Sequence, residues 1–430
     1  MPARSLDDWL QYQQQTHPRA IELGLERVRA VWDAMGAPAP APLVITVGGT
    51  NGKGSTVAFL EAMLAAMGKR VGCFTSPHLL RYNERVRVAG SDIDDPALID
   101  AFARIEHARG AIPLTYFEFG TLAALWIFSQ SGLDVAVLEV GLGGRLDAVN
   151  IIDAHTAIVT TVDLDHQDWL GNDRDSIGRE KAGIFRAHQP AIVGTHEPPQ
   201  GLLKEAERIG PQLLRAGREF RAQRSGDGWQ WRCSGAVLDL PLPALDAPCQ
   251  LDNAAAAIAA LHTQRSALGW NPSAIATGLR QARIAARLQR FRKSGAADLI
   301  VDVGHNPQAA RVLAEWLARQ PARRTLAVFG ALSDKDVDGI AAPLAPLIAR
   351  WHLAGLHGDT PRGLDAAALR ARSGHFSTSA VAEHTNVAAA LNAAAADSTP
   401  EERILAFGSF FVAAPALSWT AAQGYIEAPR

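Results

Sequence analysis

Mostly apolar runs of strand length recur along this chain, at 43–47, 70–74, 134–139, 156–162 and 190–194, then at 298–303, 325–329, 351–356 and 403–407. A strand with one wet face alternates in polarity, whereas a strand buried on both faces reads as a continuous run, so these segments call for parallel sheets covered by helices. Between the first two runs Val57, Leu60, Leu64 and Met67 fall on one helical face, and after 298–303 Val312, Leu313, Trp316 and Leu317 do the same. That alternation predicts βαβ units. An opening helical region ends near Met35, before the APAPAP spacer at 37–42, which cannot continue a helix. The stretch 197–248, with its GDGW and several prolines, reads as short antiparallel strands and loops, and helical patterning returns over 253–283. The alanine run at 393–396 reads as helix. With 430 residues the chain exceeds what one core usually serves. The expectation is an α/β protein with an N-terminal P-loop NTPase-like domain built on a mostly parallel sheet and a C-terminal Rossmann-like α/β domain. Its boundaries are set at 1–284, a linker at 285–296, and 297–430.

Composition removes several function classes. Lys and Arg number 42 against 44 Asp and Glu, for a net charge of -2, so no broad positive field exists to hold duplex nucleic acid. No stretch approaches the roughly 20 apolar residues of a membrane helix. The first fifteen residues carry acidic groups and Trp9 but no apolar core, unlike a secretory leader. Cys73, Cys233 and Cys249 are odd in number and far apart, which suits neither a disulfide framework nor a zinc motif. A cytoplasmic protein without nucleic-acid or membrane partners is expected.

The strongest local signal is Gly48-Gly49-Thr50-Asn51-Gly52-Lys53-Gly54-Ser55, set between the first apolar run and its helix. Glycines let backbone N–H groups turn toward phosphate oxygens, and a helix N-terminus adds partial positive charge. Lys53 would reach the β/γ-phosphates, and Ser55 or Ser76 could touch magnesium. The strict pattern is not met: Val47 stands where its first glycine would fall, and Gly54 separates Lys53 from Ser55. The plainer reading is a tight strand-to-helix connection. Gly141-Leu142-Gly143-Gly144 begins like a dinucleotide fingerprint, but Leu146 occupies the place of its last glycine, and a turn explains it better.

Glu139 and His166 follow apolar strands at the ends where open α/β sheets place ligands. With a hydroxyl, they could hold a hard cation together with waters and phosphate oxygens. Read singly, Glu139 is also a turn cap and His166 a hydrogen-bonded loop residue. Lys181 by itself reads as a solvated helix charge. Asp302-Val303-Gly304-His305-Asn306-Pro307 crowds polar side chains at a βα turn, either to reach a ligand or as ordinary Asp/Asn turn chemistry.

Taken in order, GTNGKGS, TSPHLLRYNERVRV, LTYFEFGTLAAL, LEVGLGGRLDAVN, DHQDWLG, REKAGIFR, QLDNAA, RLQRF, DVGHNP and FGSF resemble the folylpolyglutamate synthase/dihydrofolate synthase family, within the Mur ligase-like ATP-dependent amide ligases. The resemblance implies addition of L-glutamate to dihydropteroate and to tetrahydrofolate derivatives, with ATP and two magnesium ions, and leaves room for a monovalent cation. It implies an ATP phosphate loop at Thr50, Asn51, Gly52, Lys53, Gly54 and Ser55, and magnesium ligands at Ser76, Glu139 and His166. Lys181 resembles a lysine that members carry as a carbamate, an anion that binds metal. Pterin-binding segments are implied at Thr115, Tyr116, Phe117 and Glu118, at Leu146, Asp147 and Ala148, and at Ile21, Glu22 and Leu23. Asn253, Arg287, Asp302 and His305 are implied to reach the nucleotide, His305 being the candidate base for the glutamate amine. The chain departs from the family at Ala285-Ala286, where Pro-Gly often precedes the arginine, and at Phe411-Val412-Ala413 after Ser409. A bifunctional monomer is expected, because the TYFE segment resembles that of bifunctional bacterial members; the alternatives are a monofunctional folylpolyglutamate synthase, a Mur-type ligase of peptidoglycan precursors, and a non-catalytic nucleotide switch. Only about 40 residues precede the phosphate loop, too few for the nucleotide-sugar domain of a Mur-type ligase.

Overall fold

The computed structural model describes residues 4–428 apart from 18, 20 and 379. The chain divides into two compact units, Met1–Ala244 with Leu251–Arg283, and Leu245–Gln250 with Ile284–Arg430.

The first unit opens with α1 (Leu6–Thr16), started by a Ser5/Asp8 capping box, and α2 (Glu26–Ala34). There follow β1 (Leu43–Gly48), α3 (Lys53–Ala66), β2 (Val71–Phe74), β3 (Val86–Val88), β4 (Ser91–Asp92), α4 (Asp95–Arg109), α5 (Tyr116–Gln130), β5 (Val135–Glu139) and β6 (Thr156–Val159). The sheet is completed after α6 (Gln167–Leu170) and α7 (Arg174–Ala182) by β7 (Pro190–Val193), α8 (Gln200–Ile209) and β8 (Gln212–Arg215). Its order is β4-β3-β2-β5-β1-β6-β7-β8, parallel except where β3 pairs with β2 and β4. All six residues of β1 and all five of β5 are buried, as continuous apolar runs require. From β1 the chain passes outward to β2 on one side and later to β6 on the other, so the carboxyl end of β1 is where the winding direction reverses. In β6 the expected run to residue 162 is cut short after Val159. Thr160 instead gives its N–H to the Gly48 carbonyl and its hydroxyl to the Asn51 carbonyl.

The middle segment departs from its expected form. It does contain an antiparallel sheet, β9 (Phe220–Ser225), β10 (Gly228–Cys233) and β11 (Ala236–Pro241). Before it, however, α8 and the parallel strand β8 extend the main sheet. A Cβ on Gly201 in α8 would lie 2.0 Å from the Asp175 carbonyl oxygen, so glycine is what lets α8 lie close against α7. After β11, α9 (Gln250–Thr263), α10 (Arg265–Leu268) and α11 (Pro272–Gln281) fill the region expected to be helical.

In the second unit β12 (Gln289–Arg292) lies within the stretch taken as linker, pairing antiparallel with β13 (Asp298–Val301). Its alternation of burial, with Gln289 and Phe291 inward, carries no apolar run. The helix α12 (Pro307–Ala318) buries Leu313, Trp316 and Leu317. Strands β14 (Thr325–Phe329), β15 (Arg350–Ala354), β16 (Val381–His384), β17 (Arg403–Phe407) and β18 (Ile426–Glu427) complete the order β16-β15-β14-β17-β13-β12-β18. Strands β13 to β17 are parallel, and 393–396 lies inside the helix Val387–Ala396. His352 of β15 is fully buried, its ring stacked on His384 at 5.2 Å between centroids. Among the described residues no helix is long and apolar enough to cross a membrane.

Candidate functional site

The phosphate loop occupies the reversal point of the first sheet. β1 ends at Gly48, and α3 begins at Lys53 behind Gly52, whose φ of 87° is a left-handed conformation suited to glycine. A Cβ on Gly52 would stand 2.5 Å from Asn253 Oδ1, so α9 brings Asn253 directly onto the loop. The loop is pinned to the chain beyond β6. Thr50 N–H donates to the Thr161 carbonyl at 2.8 Å, Asn51 N–H to Thr161 Oγ1 at 2.9 Å, and Thr50 Oγ1 to the Asp163 carbonyl at 3.1 Å. Gly52 at the N-cap of α3 offers no side chain to cap the helix, and the N–H groups of a helix start are the kind of donors an anion takes. Lys53 Nζ bends back to the carbonyls of Gly49 and Thr50, at 3.0 and 3.2 Å.

Glu139 is the residue of β5 in register with Val47, one step before the loop. Its carboxylate is buried and accepts Ser76 N–H at 3.2 Å, so the structure brings Ser76 and Glu139 together. His166 begins α6 with φ 51°, and its N–H donates to Asp165 Oδ1 at 2.9 Å. Lys181, read above as a solvated charge if taken alone, is buried on α7. Burial chiefly, then the Lys53 cation, lowers its amine to about 7, opposed by Asp165 and Asp147. Lys53, Lys181, Asp147 and Asp165 thus share one electrostatic field. Asp165 was missed in the sequence, although it directly precedes His166. Among the described residues no group of three or more His, Cys, Asp or Glu side chains forms a metal cluster. One buried carboxylate, a hydroxyl and a carbamate on Lys181 would nevertheless make a set of hard oxygen donors of the kind a divalent ion takes, with phosphate and water completing it.

The three segments assigned to the pterin also meet. Thr115 and Glu118 form a capping box for α5, Thr115 N–H donating to Glu118 Oε2 at 2.7 Å, a T-x-x-E signature not recognised in the sequence. Tyr116 stands edge-on to Tyr82 at 5.6 Å, and Phe117 lies 5.8 Å from Phe74. Asp147, between Leu146 and Ala148, is buried and accepts Leu142 N–H at 2.8 Å and Val149 N–H at 3.1 Å; burial pushes its carboxyl up to about 6. Gly24, next to Ile21, Glu22 and Leu23, donates its N–H to the Leu146 carbonyl at 3.3 Å. Arg27 of α2 joins the other side: Nη1 donates to Glu22 Oε1 at 2.7 Å and Nη2 to Glu118 Oε1 at 3.0 Å.

In the second unit, Asp302 and His305 follow β13. Buried Asp302 accepts Leu288 N–H at 2.9 Å and Gly304 N–H at 2.7 Å, and burial raises its carboxyl above the usual range. These bonds shape the turn that carries Arg287, flanked by Ala286 at φ 52° and Leu288 at φ 48°. The guanidinium lies 5.6 Å above the Phe410 ring. His305 Nδ1 faces the Val303 carbonyl at 2.9 Å, so the neutral ring carries its proton there and its lone pair on Nε2. Asn306 follows the turn-chemistry reading, capping α12 through Ala309 N–H ahead of Pro307.

Residues 47–261 match the family model of the Mur ligase middle domain, and 286–410 that of the Mur ligase glutamate ligase domain. The chain is 46% identical over 414 residues to the dihydrofolate synthase/folylpolyglutamate synthase of Escherichia coli K12, covering 96% of this chain and 94% of that protein. A solved structure of E. coli FolC in complex with DHPP and ADP superimposes with a TM-score of 0.91 at 45% identity, covering 98% and 99% of the two chains. A bifunctional folylpolyglutamate synthase/dihydrofolate synthase with Mn, AMPPNP and L-glutamate bound superimposes with a TM-score of 0.88 at 43% identity, over 98% of both chains.

Proposed function

This chain belongs to the Mur ligase family, among its dihydrofolate synthase/folylpolyglutamate synthases, and from that membership we propose how its residues carry out the reaction. It is an ATP-dependent ligase that adds L-glutamate to dihydropteroate and to folates. Amide formation from a carboxylate is uphill in water, so the carboxylate must first be activated. One carboxylate oxygen attacks the γ-phosphorus of ATP, the bond from that phosphorus to the β–γ bridging oxygen breaks, and ADP leaves an acyl phosphate. The glutamate amine then attacks the acyl carbon, and inorganic phosphate departs. Such transfer depends on positioning and charge neutralisation rather than on a protein nucleophile.

The observation that carries this reading is the glycine-led start of α3 with Lys53 beside it, at the reversal point of the sheet and within the field of Lys181, Asp147 and Asp165. Thr50 to Ser55 and Asn253 hold the nucleotide phosphates, and Lys53 leaves its loop carbonyls for them. Arg287 and Asp302 are the nucleotide contacts of the second unit, and His305 takes the ammonium proton of glutamate on Nε2. The pterin lies against Phe117, Asp147 and the 21–23 segment. Ser76, Glu139, His166 and a carbamylated Lys181 would hold two magnesium ions, which when bound neutralise phosphate charge. A buried amine lowered to about 7 is largely unprotonated when the pH exceeds that value, the state that reacts with carbon dioxide. We take the enzyme to be a cytoplasmic monomer acting on small molecules, in keeping with its net charge of -2.

Release of ADP should require both dihydropteroate and L-glutamate and should collapse in Lys53→Ala. ADP release indifferent to both acceptors would overturn the reading.

A further inference from the structure

Two carboxylates from separate parts of the first unit converge on one guanidinium. Glu22 lies in the irregular segment before α2, and Glu118 lies in the first turn of α5, almost wholly buried. Arg27 binds both, with its Nη1 on Glu22 Oε1 at 2.7 Å, and its Nη2 on Glu118 Oε1 at 3.0 Å and on the Glu22 carbonyl at 3.0 Å. The fork geometry of Arg serves two acceptors at once, which a lysine point charge does not reproduce. Arg27 Nε is buried and has no hydrogen-bond partner among the described residues, so the guanidinium is desolvated for the sake of this bridge. Glu118 in turn spends its other oxygen on Thr115 N–H, closing the cap of α5. Both carboxylate oxygens of Glu118 therefore already have protein donors, and its side chain acts as structure for the helix start that presents Tyr116 and Phe117.

We propose that Arg27 is a positioning residue for the pterin pocket, locking the 21–23 segment to the start of α5 by compensating Glu22 and Glu118. The proposal rests on the assignment of these segments to the pterin. The 21–23 segment has no helix or strand of its own; among the described residues it is also tied by the Gly24–Leu146 backbone bond and by contacts of Glu22 with His17 and Arg19, each at 3.5 Å. Without the guanidinium the two carboxylates repel, and the segment moves away from α5. The consequence is selective, because neither the phosphate loop nor the second-unit turn makes a bond to Arg27 among the described residues.

The test is steady-state kinetics of the full chain with each substrate varied in turn, on Arg27→Ala, Arg27→Lys, Glu22→Gln, Arg27→Ala/Glu22→Gln and, as a reference, Phe117→Ala. Arg27→Ala should raise the KM for dihydropteroate on the order of tenfold or more, as loss of one partner of a desolvated charge pair does. The KM values for ATP and L-glutamate should hold within about twofold, and Arg27→Lys should fall between wild type and Arg27→Ala. Removing the Glu22 charge in the Arg27→Ala background should recover part of the dihydropteroate KM, although Glu22→Gln alone should not lower it. A cavity left by a lost side chain would show no such rescue. Equal rises in all three KM values, or no rescue, would overturn the proposal. An elevated dihydropteroate KM in Phe117→Ala with an unchanged one in Arg27→Ala would overturn it while leaving the pterin assignment standing. An unchanged value in Phe117→Ala would count against that assignment itself.

Discussion

The carboxyl ends of β1 and β13 are both turns from a buried parallel strand into a helix, yet they treat the helix N-terminus in opposite ways. At β1 the helix begins behind Gly52, an N-cap with no side chain to offer its first N–H groups. At β13 the helix is closed by Asn306, whose side chain takes Ala309 N–H, with Pro307 removing a further donor. An open start can accept phosphate oxygens, whereas a closed one can only aim side chains. The second turn does the latter: Asp302 spends its carboxylate on backbone N–H groups and so fixes the bend that carries Arg287. Two similar βα turns thus start their helices differently, one behind a glycine and one behind an asparagine cap.

The comparison is tested most severely at Gly52. Alanine there must adopt φ near 87°, at a cost of about 1–2 kcal/mol, and must also displace the Asn253 side chain. Gly52→Ala should raise the ATP KM by roughly tenfold or more, since about 1.4 kcal/mol is one decade. An unchanged ATP KM would mean that the loop does not need its left-handed residue.

Next in size is the pH dependence of two buried groups, which should have opposite signs. His352 in the second unit is held at about 4, against 6.5 for a free imidazole, by burial, then by His384 and Arg350, with Asp397 opposing. Its unfolded form binds the proton more readily, so its contribution to stability is present above about 6.5 and is lost as pH falls toward 4. Asp147 in the first unit is raised to about 6, so its folded form holds the proton more readily between about 4 and 6. Stability from Asp147 therefore falls as pH rises through that window. Denaturant unfolding between pH 4 and 7 should show the gap between wild type and His352→Asn changing in wild type's favour with rising pH, and the gap to Asp147→Asn changing the other way. Parallel slopes would remove the distinction.

Asn306→Ala should cost about 1 kcal/mol of stability through the lost cap, read as a lower midpoint of thermal unfolding. The ATP KM should move less than in Gly52→Ala, because the Asn306 side chain serves the start of α12. The smallest effect is expected for Ala286→Gly, the reverse exchange at another left-handed position. Relief of about 1–2 kcal/mol of backbone strain is offset by the greater chain entropy of glycine and by one lost buried methyl, leaving stability within about 1 kcal/mol of wild type. A large loss would show that the methyl, rather than the backbone, supports the turn under Arg287.

The phosphate loop was legible because glycines, a lysine and a flanking apolar run are adjacent in the chain. Glu139 was legible for a similar reason, as the polar end of an otherwise apolar strand. The burial of Lys181, which the family resemblance had singled out, was not, since its neighbours in sequence are Glu180 and Arg179, and only packing of α7 buries it near Lys53 and Asp165. Strand β12 was hidden by the charges of its exposed face, and α8 by its place in a stretch marked by GDGW and several prolines. Arg27 carried no signal either, because its partners lie 5 and 91 residues away.

Most of the βα alternation, the phosphate loop and the family resemblance were determined by the sequence itself, for each depends on residues close together along the chain. Tertiary structure alone decided the protonation tendencies of Lys181, Asp147 and His352, the bridging of Glu22 and Glu118 by Arg27, and the placing of Arg287 over Phe410. Those properties depend on which groups are taken out of water together, and desolvation is set by packing between distant segments rather than by neighbours in sequence.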